Sequence, residues 1–325
     1  EIFQNKYFYF LVLFYFSILI SSLFSEEILF SLKSSFFYFR VIIFYFLLVY
    51  LFNYNKEKVI KYYFYTFLIT LTVLCIDGFY QYKFGSNLLG FEVVKSFHKY
   101  RISGLFGEEL IMGSFIARMF PVFTALYLFL KIDNKYFSIF FIILFVALDV
   151  LVFVSGERTA FLFLNLSTIF IILFCKSLRY FRLATFVLST IIIIFILNNN
   201  SYVKERMVFD TLRSIGISDK EKIITEKNNE SEDKIYIFSQ GHDSLVRTAF
   251  KMFLDKPLIG HGPRMFRLKC DNDRYKTGTH YCDTHPHNYY IQLLAETGLL
   301  GATFIFASLI YLLLNIFFIL FKKKK

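Results

Sequence analysis

Charge is scarce in this chain, and so are the residues that punctuate helices. Charged residues make up 19% of 325 positions, with four prolines and fourteen glycines, whereas 56% of residues are hydrophobic and mean hydropathy is +0.53. A soluble domain is nearer a quarter charged and half apolar, so most of this chain is not one. There is no HExxH and no paired CxxC, the spacings that most directly announce zinc. No internal repeat and no pair of broken helices in matching halves is visible, which counts against a transporter built on inverted repeats. The first apolar run has no small-residue cleavage site and more runs follow it, so it reads as a membrane helix and not as a signal peptide.

What remains is a series of eight apolar runs, approximately Tyr7 to Phe24, Phe36 to Phe52, Tyr62 to Tyr80, Leu110 to Leu130, Tyr136 to Val154, Thr159 to Cys175, Phe181 to Leu197 and Leu299 to Phe321. Each is about 17 to 23 residues long, the length a helix needs to cross roughly 30 Å of hydrocarbon. Backbone polar groups in lipid must pair within their own segment, so the runs are expected to be helices. The fold class is therefore an all-α integral membrane protein of about eight spans with one large, mainly helical periplasmic loop. Because position 1 is Glu, the chain is expected to begin inside a longer protein.

Charge placement gives an expected orientation. The net charge is +11. If the spans alternate, Lys6, Lys56, Lys58, Lys61, Lys131, Lys135, Lys176, Arg179, Arg182 and Lys322 to Lys325 share one side, opposed there only by Glu1, Glu57 and Asp133. By the positive-inside rule that side is the cytoplasm, which accounts for the basic balance without nucleic acid as a partner. Three segments fall outside: Gln81 to Glu109, the turn at Ser155 to Arg158, and Asn198 to His287. The organisation read from this is 1–197 for the first seven spans, 198–287 for the outer loop, and 288–325 for a re-entry helix, the last span and a basic tail.

The outer loop carries 15 Lys/Arg against 13 Asp/Glu. Tyr202 to Ile215 reads as a helix and Ser218 to Lys234 as a charged linker. Asp243 to Leu254 has the period of an amphipathic helix, which ends before Pro257. Cys75 and Cys175 fall in spans as free thiols. Cys270 and Cys282 fall in the loop, in an oxidising space, and are expected to form a disulfide.

Two clusters stand out. Arg118 and Asp149 are ionisable residues in consecutive spans, about equally distant from the turn at Asp133, so an intramembrane ion pair is expected, with a polar substrate cavity as the other reading. The segment THYCDTHPHNYY holds His280, Cys282, Asp283, His285 and His287. These are zinc-ligand types, but Pro286 favours an extended chain in which the side chains of His285 and His287 diverge unless the backbone bends. No metal and no other cofactor is expected.

The segment from His287, HNYYIQLLAETGLLG with Gly298 and Gly301, resembles the signature of the O-antigen ligase/polymerase family, in which a His and a small polar residue precede a glycine pair at this spacing. RTAFKMFLDKPLIGHGPRMF (Arg247 to Phe266), SGERTAFL (Ser155 to Leu162) and RISGLFGEE (Arg101 to Glu109) are similar to further blocks of that family, in the same order. The chain departs from the family where Glu108 and Glu109 replace a Pro or Asn after the Phe, and its span count is below what is common there.

The resemblance implies a metal-independent, inverting glycosyltransferase that moves a glycan from undecaprenyl diphosphate to an acceptor hydroxyl at the periplasmic face of the inner membrane. Acceptors would be lipid A-core in a ligase or the growing glycan in a polymerase; oligosaccharyltransferases share the motifs. His287 would be the general base, suited by an unperturbed pKa of about 6.5. Arg158 and Arg247, with Arg264 and Arg101 in reserve, would hold the diphosphate through bidentate, permanently charged guanidinium groups. Gly298 and Gly301 would let the re-entry helix turn or pack closely. Tyr289 and Tyr290 would anchor at the membrane interface among lipids. A multi-span transporter and a membrane zinc hydrolase are the readings from other classes.

Overall fold

A computed structural model describes residues 6–96, 99–130, 132, 134–215, 240–278 and 280–322. The expected linker Ser218 to Lys234, the turn residue Asp133 with Lys131, and the end of the basic tail lie outside them. The described chain is almost wholly helical: α1 (Lys6–Leu23), α2 (Ile28–Ser35), α3 (Phe39–Phe84), α4 (Met112–Leu130), α5 (Lys135–Val154), α6 (Arg158–Phe174), α7 (Arg179–Asn199), α8 (Ser201–Lys204), α9 (Asp210–Ile215), α10 (Gln240–Asp255), α11 (Phe266–Lys269) and α12 (Tyr289–Lys322). Between α3 and α4 lies an element the sequence reading did not anticipate, an antiparallel hairpin of β1 (Val94–Ser96) and β2 (Lys99–Arg101) with Val94 opposite Arg101.

Among the described residues, five helices are long and apolar enough to cross a membrane, counting the 57-residue stretch Ile28–Phe84 once; Tyr7–Leu23 and Arg158–Phe174 are shorter apolar helices. Large apolar side chains such as Ile69, Phe195 and Leu313 stay exposed along these helices, an arrangement suited to lipid and not to water. The chain is a multi-pass membrane protein. α3 is too long for one crossing, about 69 Å at 1.5 Å per residue, and it is broken at Asn55, whose backbone is non-helical (φ −160°, ψ 85°). The Asn55 carboxamide accepts from the Lys58 N–H at 3.0 Å, the N-cap bond of a new helix. Asn134 caps α5 in the same way, accepting from Tyr136 and Phe137.

The chain divides into two compact units, Glu1–Tyr54 with Asn229–Lys325, and Asn55–Asn228. The stretch 198–287 is thus shared between them, with α8 and α9 in the second unit and α10 and α11 in the first.

The second unit is organised around α4 to α7 and the C-terminal half of α3. Its core stacks Phe64, Phe123 and Phe141 nearly parallel, with centroids 5.4 to 5.9 Å apart. Inside this apolar packing lies one ion pair. Asp149 on α5 receives two hydrogen bonds of 2.8 Å from Arg182 on α7, one to each carboxylate oxygen, and a third of 3.0 Å from the Ser189 hydroxyl. Thr168 on α6 accepts from the Arg182 Nε at 3.1 Å, and the guanidinium lies 4.7 Å from the centre of the Phe120 ring. This corrects the expected partnership of Asp149 with Arg118. Equal distance from a turn sets depth along the helices but not rotation about them, and Arg118 faces outward on α4. It also corrects the charge count, since Arg182 is buried at 1% exposure and is no free cation for lipid headgroups.

In the first unit α12 packs against α1 and α10. It is broken at Gly298 (φ 61°, ψ −162°), and the segment Pro257 to Gly262 is spliced into the break. Leu299 and Leu300 donate to the carbonyls of Pro257 and Leu258 at 2.8 and 2.9 Å, while His261 and Gly262 donate to those of Ala295 and Glu296 at 3.0 and 2.8 Å. The Ser21 hydroxyl of α1 lies 2.7 and 2.8 Å from the carbonyls of Ile259 and Glu296. Every backbone group freed by the break that these bonds reach is thereby satisfied, which apolar surroundings demand. A Cβ at Gly298 would fall 2.5 Å from the Leu258 carbonyl, and one at Gly260 2.5 Å from that of Glu296, so both positions require glycine.

Candidate functional site: a histidine cluster and an arginine cluster

In the first unit, Leu245, Ala249, Met252, Phe266, Cys270, Tyr275 and Ala295 bury one small core. Cys270 and Cys282 are joined in a disulfide with Cα atoms 5.1 Å apart. The bond ties the histidine segment, through Cys282, to this core. His287 follows, and its backbone adopts φ +53°, a left-handed conformation uncommon for a non-glycine residue. That bend answers the question left open at Pro286: the rings of His285 and His287 converge, with centroids 4.2 Å apart. Asn288, next in the chain, caps α12 by accepting from Tyr290 and Ile291.

His287 is partly exposed, with its Nε2 3.4 Å from Asp283 Oδ2. The other oxygen of Asp283 accepts from the Thr284 N–H at 2.5 Å. This bond and the neighbouring His287 hold the Asp283 carboxyl below its usual range, against a smaller opposing effect of burial. Burial and the adjacent His287 push His285 down, favouring its neutral form. From α10, the His242 ring meets that of His287 edge to face at 5.2 Å. The same helix carries Arg247, whose Nε is 2.6 Å from Asp243, with the guanidinium well exposed. Sequence reading singled out His287 and Arg247 separately; the helix that carries Arg247 also carries His242, whose ring meets His287. It did not single out His242, 45 residues earlier and in no shared motif, or a pairing of Asp283 with His287. Arg264 has φ +63° and lies 5.4 Å from the Phe30 ring centre. His261 is fully buried, with Nε2 3.0 Å from the Met252 carbonyl; burial first, then Lys269, depress its pKa to about 4. Among the described residues, no group of three or more His, Cys, Asp or Glu is placed to hold a metal ion.

In the second unit, the blocks beginning at Arg101 and Ser155 lie against each other. Gly156 (φ +76°) turns the chain at the end of α5, and a Cβ there would overlap the Tyr100 carbonyl. Ile102 donates to the Ser155 carbonyl at 3.3 Å. Glu157 is buried and spends its carboxylate on the start of α4, accepting from the amides of Gly113 and Ser114 at 2.7 and 3.1 Å and from the Ser114 hydroxyl. An anion at a helix N-terminus is favoured by the orphan amides and the helix dipole. Glu157 also lies 4.0 Å from Arg101.

Three arginines gather around this turn. Arg101 donates to the Leu110 carbonyl at 2.5 Å, while its buried Nε has no partner among the described residues. Arg158 donates to the Asp210 carbonyl at 2.6 Å. Arg206, in a single π-helical turn spanning Glu205–Phe209, donates from Nε to the Gly156 carbonyl at 3.2 Å and from Nη1 to Asp210 at 3.4 Å. Burial lowers the Arg101 pKa; nearby Glu157 opposes this, and Arg206 and Arg158 add to it. The nearest acids are already engaged, Glu157 with helix amides and Asp210 with Arg206 and Arg213. The arrangement can receive an anion. Sequence reading named Arg101 and Arg158 but missed Arg206, which carries no motif of its own.

A family model described as O-antigen ligase matches residues 139–306, just over half of the chain. That stretch contains the SGERTAFL block, Arg206, Arg247 and Arg264, His287 and the glycine pair. No curated protein and no solved structure matches. The chain belongs to the O-antigen ligase family of membrane glycosyltransferases.

Proposed function

We propose that the protein transfers a glycan from undecaprenyl diphosphate to an acceptor hydroxyl of lipid A-core at the periplasmic face of the inner membrane, without a metal and with inversion at the anomeric carbon. The observation that carries the reading is the combination of the family match with His287, a histidine held on a left-handed backbone with its ring open to a substrate. A sugar hydroxyl is a poor nucleophile, and an imidazole that takes its proton as the new bond forms supplies the general-base assistance required. The departing diphosphate needs positive charge that is present before the reaction starts. Arg247 and Arg264, in the unit that holds His287, are the candidates to supply it there, and Arg101, Arg158 and Arg206 form the anion-receiving cluster of the other unit.

The test is complementation. Expressed in a Gram-negative host lacking its own ligase, the wild-type chain is expected to restore glycan on lipid A-core and His287→Ala to leave it on the carrier. Glycan that lengthens on the carrier without reaching lipid A-core would replace the ligase reading with a polymerase.

A further inference from the structure

We infer that Asp283 is the positioning residue for His287, receiving a hydrogen bond from its Nε2 so that Nδ1 is the nitrogen left to take the acceptor proton. The inference rests on the proposed role of His287 as base.

Three observations support it. Asp283 Oδ2 is the carboxylate oxygen nearest the ring, at 3.4 Å from Nε2. Oδ1 is fixed by the Thr284 amide, so the carboxylate has one oxygen anchored and one turned toward the histidine. His287 itself is placed by a bend at φ +53°, which narrows the directions its ring can take. The other groups around it do not substitute for Asp283. His285 at 4.2 Å and His242 from α10 at 5.2 Å meet it as ring contacts. Asp243, the acid next to His242 on α10, is paired with Arg247. Arg267 acts on His285, and His280 Nε2 lies 3.9 Å from the same Asp283 oxygen, farther than His287. A carboxylate held below its usual pKa range stays ionised near neutral pH and so remains an acceptor for the ring N–H.

In the reaction the acceptor O–H bond breaks and its proton passes to Nδ1 of His287. The acceptor oxygen forms the new bond to the anomeric carbon, and the bond from that carbon to the diphosphate oxygen breaks with its electron pair remaining on the diphosphate. Asp283 takes no proton; it stabilises the imidazolium and fixes which nitrogen is free, as a carboxylate does for a catalytic histidine elsewhere.

The experiment is a titration of 15N-histidine-labelled full-length protein in detergent, with His287→Gln to assign the signal. In the wild type the neutral His287 ring is expected to carry its proton on Nε2, and in Asp283→Ala to lose that preference so that both tautomers are populated. Asp283→Glu keeps the acceptor and is expected to restore most of the Nε2 preference. A neutral ring protonated on Nδ1 in the wild type, or a tautomer preference unmoved in Asp283→Ala, overturns the inference. The tautomer is read on unmodified protein, so a variant that fails to fold does not block the test. Absence of transfer by the wild type would count against the proposed function alone, because the titration needs no activity.

Discussion

Replacing Asp149 by Leu removes the partner of a guanidinium that is 1% exposed and leaves Arg182 with hydroxyls in place of a carboxylate. Breaking one side of a buried ion pair typically costs about 3 to 5 kcal/mol, whereas replacing both sides with apolar residues of similar volume is often neutral. For a unit of this size each kcal/mol shifts the melting temperature by roughly 2 to 4 °C. Asp149→Leu is therefore expected to lower it by about 6 to 20 °C, Arg182→Met by a similar amount, and the double substitution by far less than their sum. The chain has no tryptophan, so the transition is best followed with a thiol-reactive dye. Cys75 is a buried free thiol within the same core, Cys270 and Cys282 are joined to each other, and the half-buried Cys175 is changed to Ser in all variants. A drop of less than about 2 °C for Asp149→Leu, or a double variant as unstable as the two singles combined, would refute the assignment of this pair as an interlock of α5 and α7.

Gly298→Ala places a Cβ on the Leu258 carbonyl at a positive φ, and is expected to destabilise the first unit by about 1 to 3 kcal/mol; an unchanged melt by circular dichroism would show that the break is not required. Reducing the Cys270–Cys282 bond, with 12 residues of sequence separation, should cost about 3 kcal/mol and be visible as faster proteolysis of the loop in dithiothreitol. Arg206→Ala should lower kcat/KM for glycan transfer by about 10 to 100-fold, the worth of a charge-assisted hydrogen bond of about 1.5 to 3 kcal/mol, beyond the loss of its bonds to Gly156 and Asp210, which the melt reports separately; wild-type turnover would remove Arg206 from the anion site. His261 has a folded pKa of about 4, below its unfolded value of about 6.5, so between these the unfolded chain binds the proton and the folded chain does not. Stability contributed by neutral His261 is complete above about pH 6.5 and is lost progressively down to about pH 4, by at most about 3 kcal/mol. His261→Gln should flatten that slope in melts recorded across the same range.

The helices were legible because lipid imposes one rule on every residue of a span, and runs such as Tyr136 to Val154 reproduce α5 to within a residue. The interruption at Asn55 was also legible, in the polar NYNKEK between two apolar runs. What the sequence could not convey is rotation. Arg118 and Arg182 are both cations near apolar stretches, and only the facing of α7 toward α5 selects Arg182 for Asp149. The same holds for the candidate site. His287, Arg158 and Arg247 sit in motifs, but Arg206 reaches Gly156 from 50 residues away through a π-turn, and His242 reaches His287 across α10. At Pro286 the local rule argued for diverging side chains, and one left-handed residue reversed it.

The splice of Pro257 to Gly262 into α12 bears on which genetic changes this protein can absorb. Its register is written in main-chain bonds, while Leu258, Leu299 and Leu300 point outward. Their side chains can drift with the lipid or substrate they meet, and a library randomising those three positions should remain largely functional. Inserting or deleting a single residue between 257 and 262 would shift every donor off its acceptor at once. Lineages of this protein are therefore expected to vary at Leu258, Leu299 and Leu300, and to keep Gly260, Gly298 and the length of the segment.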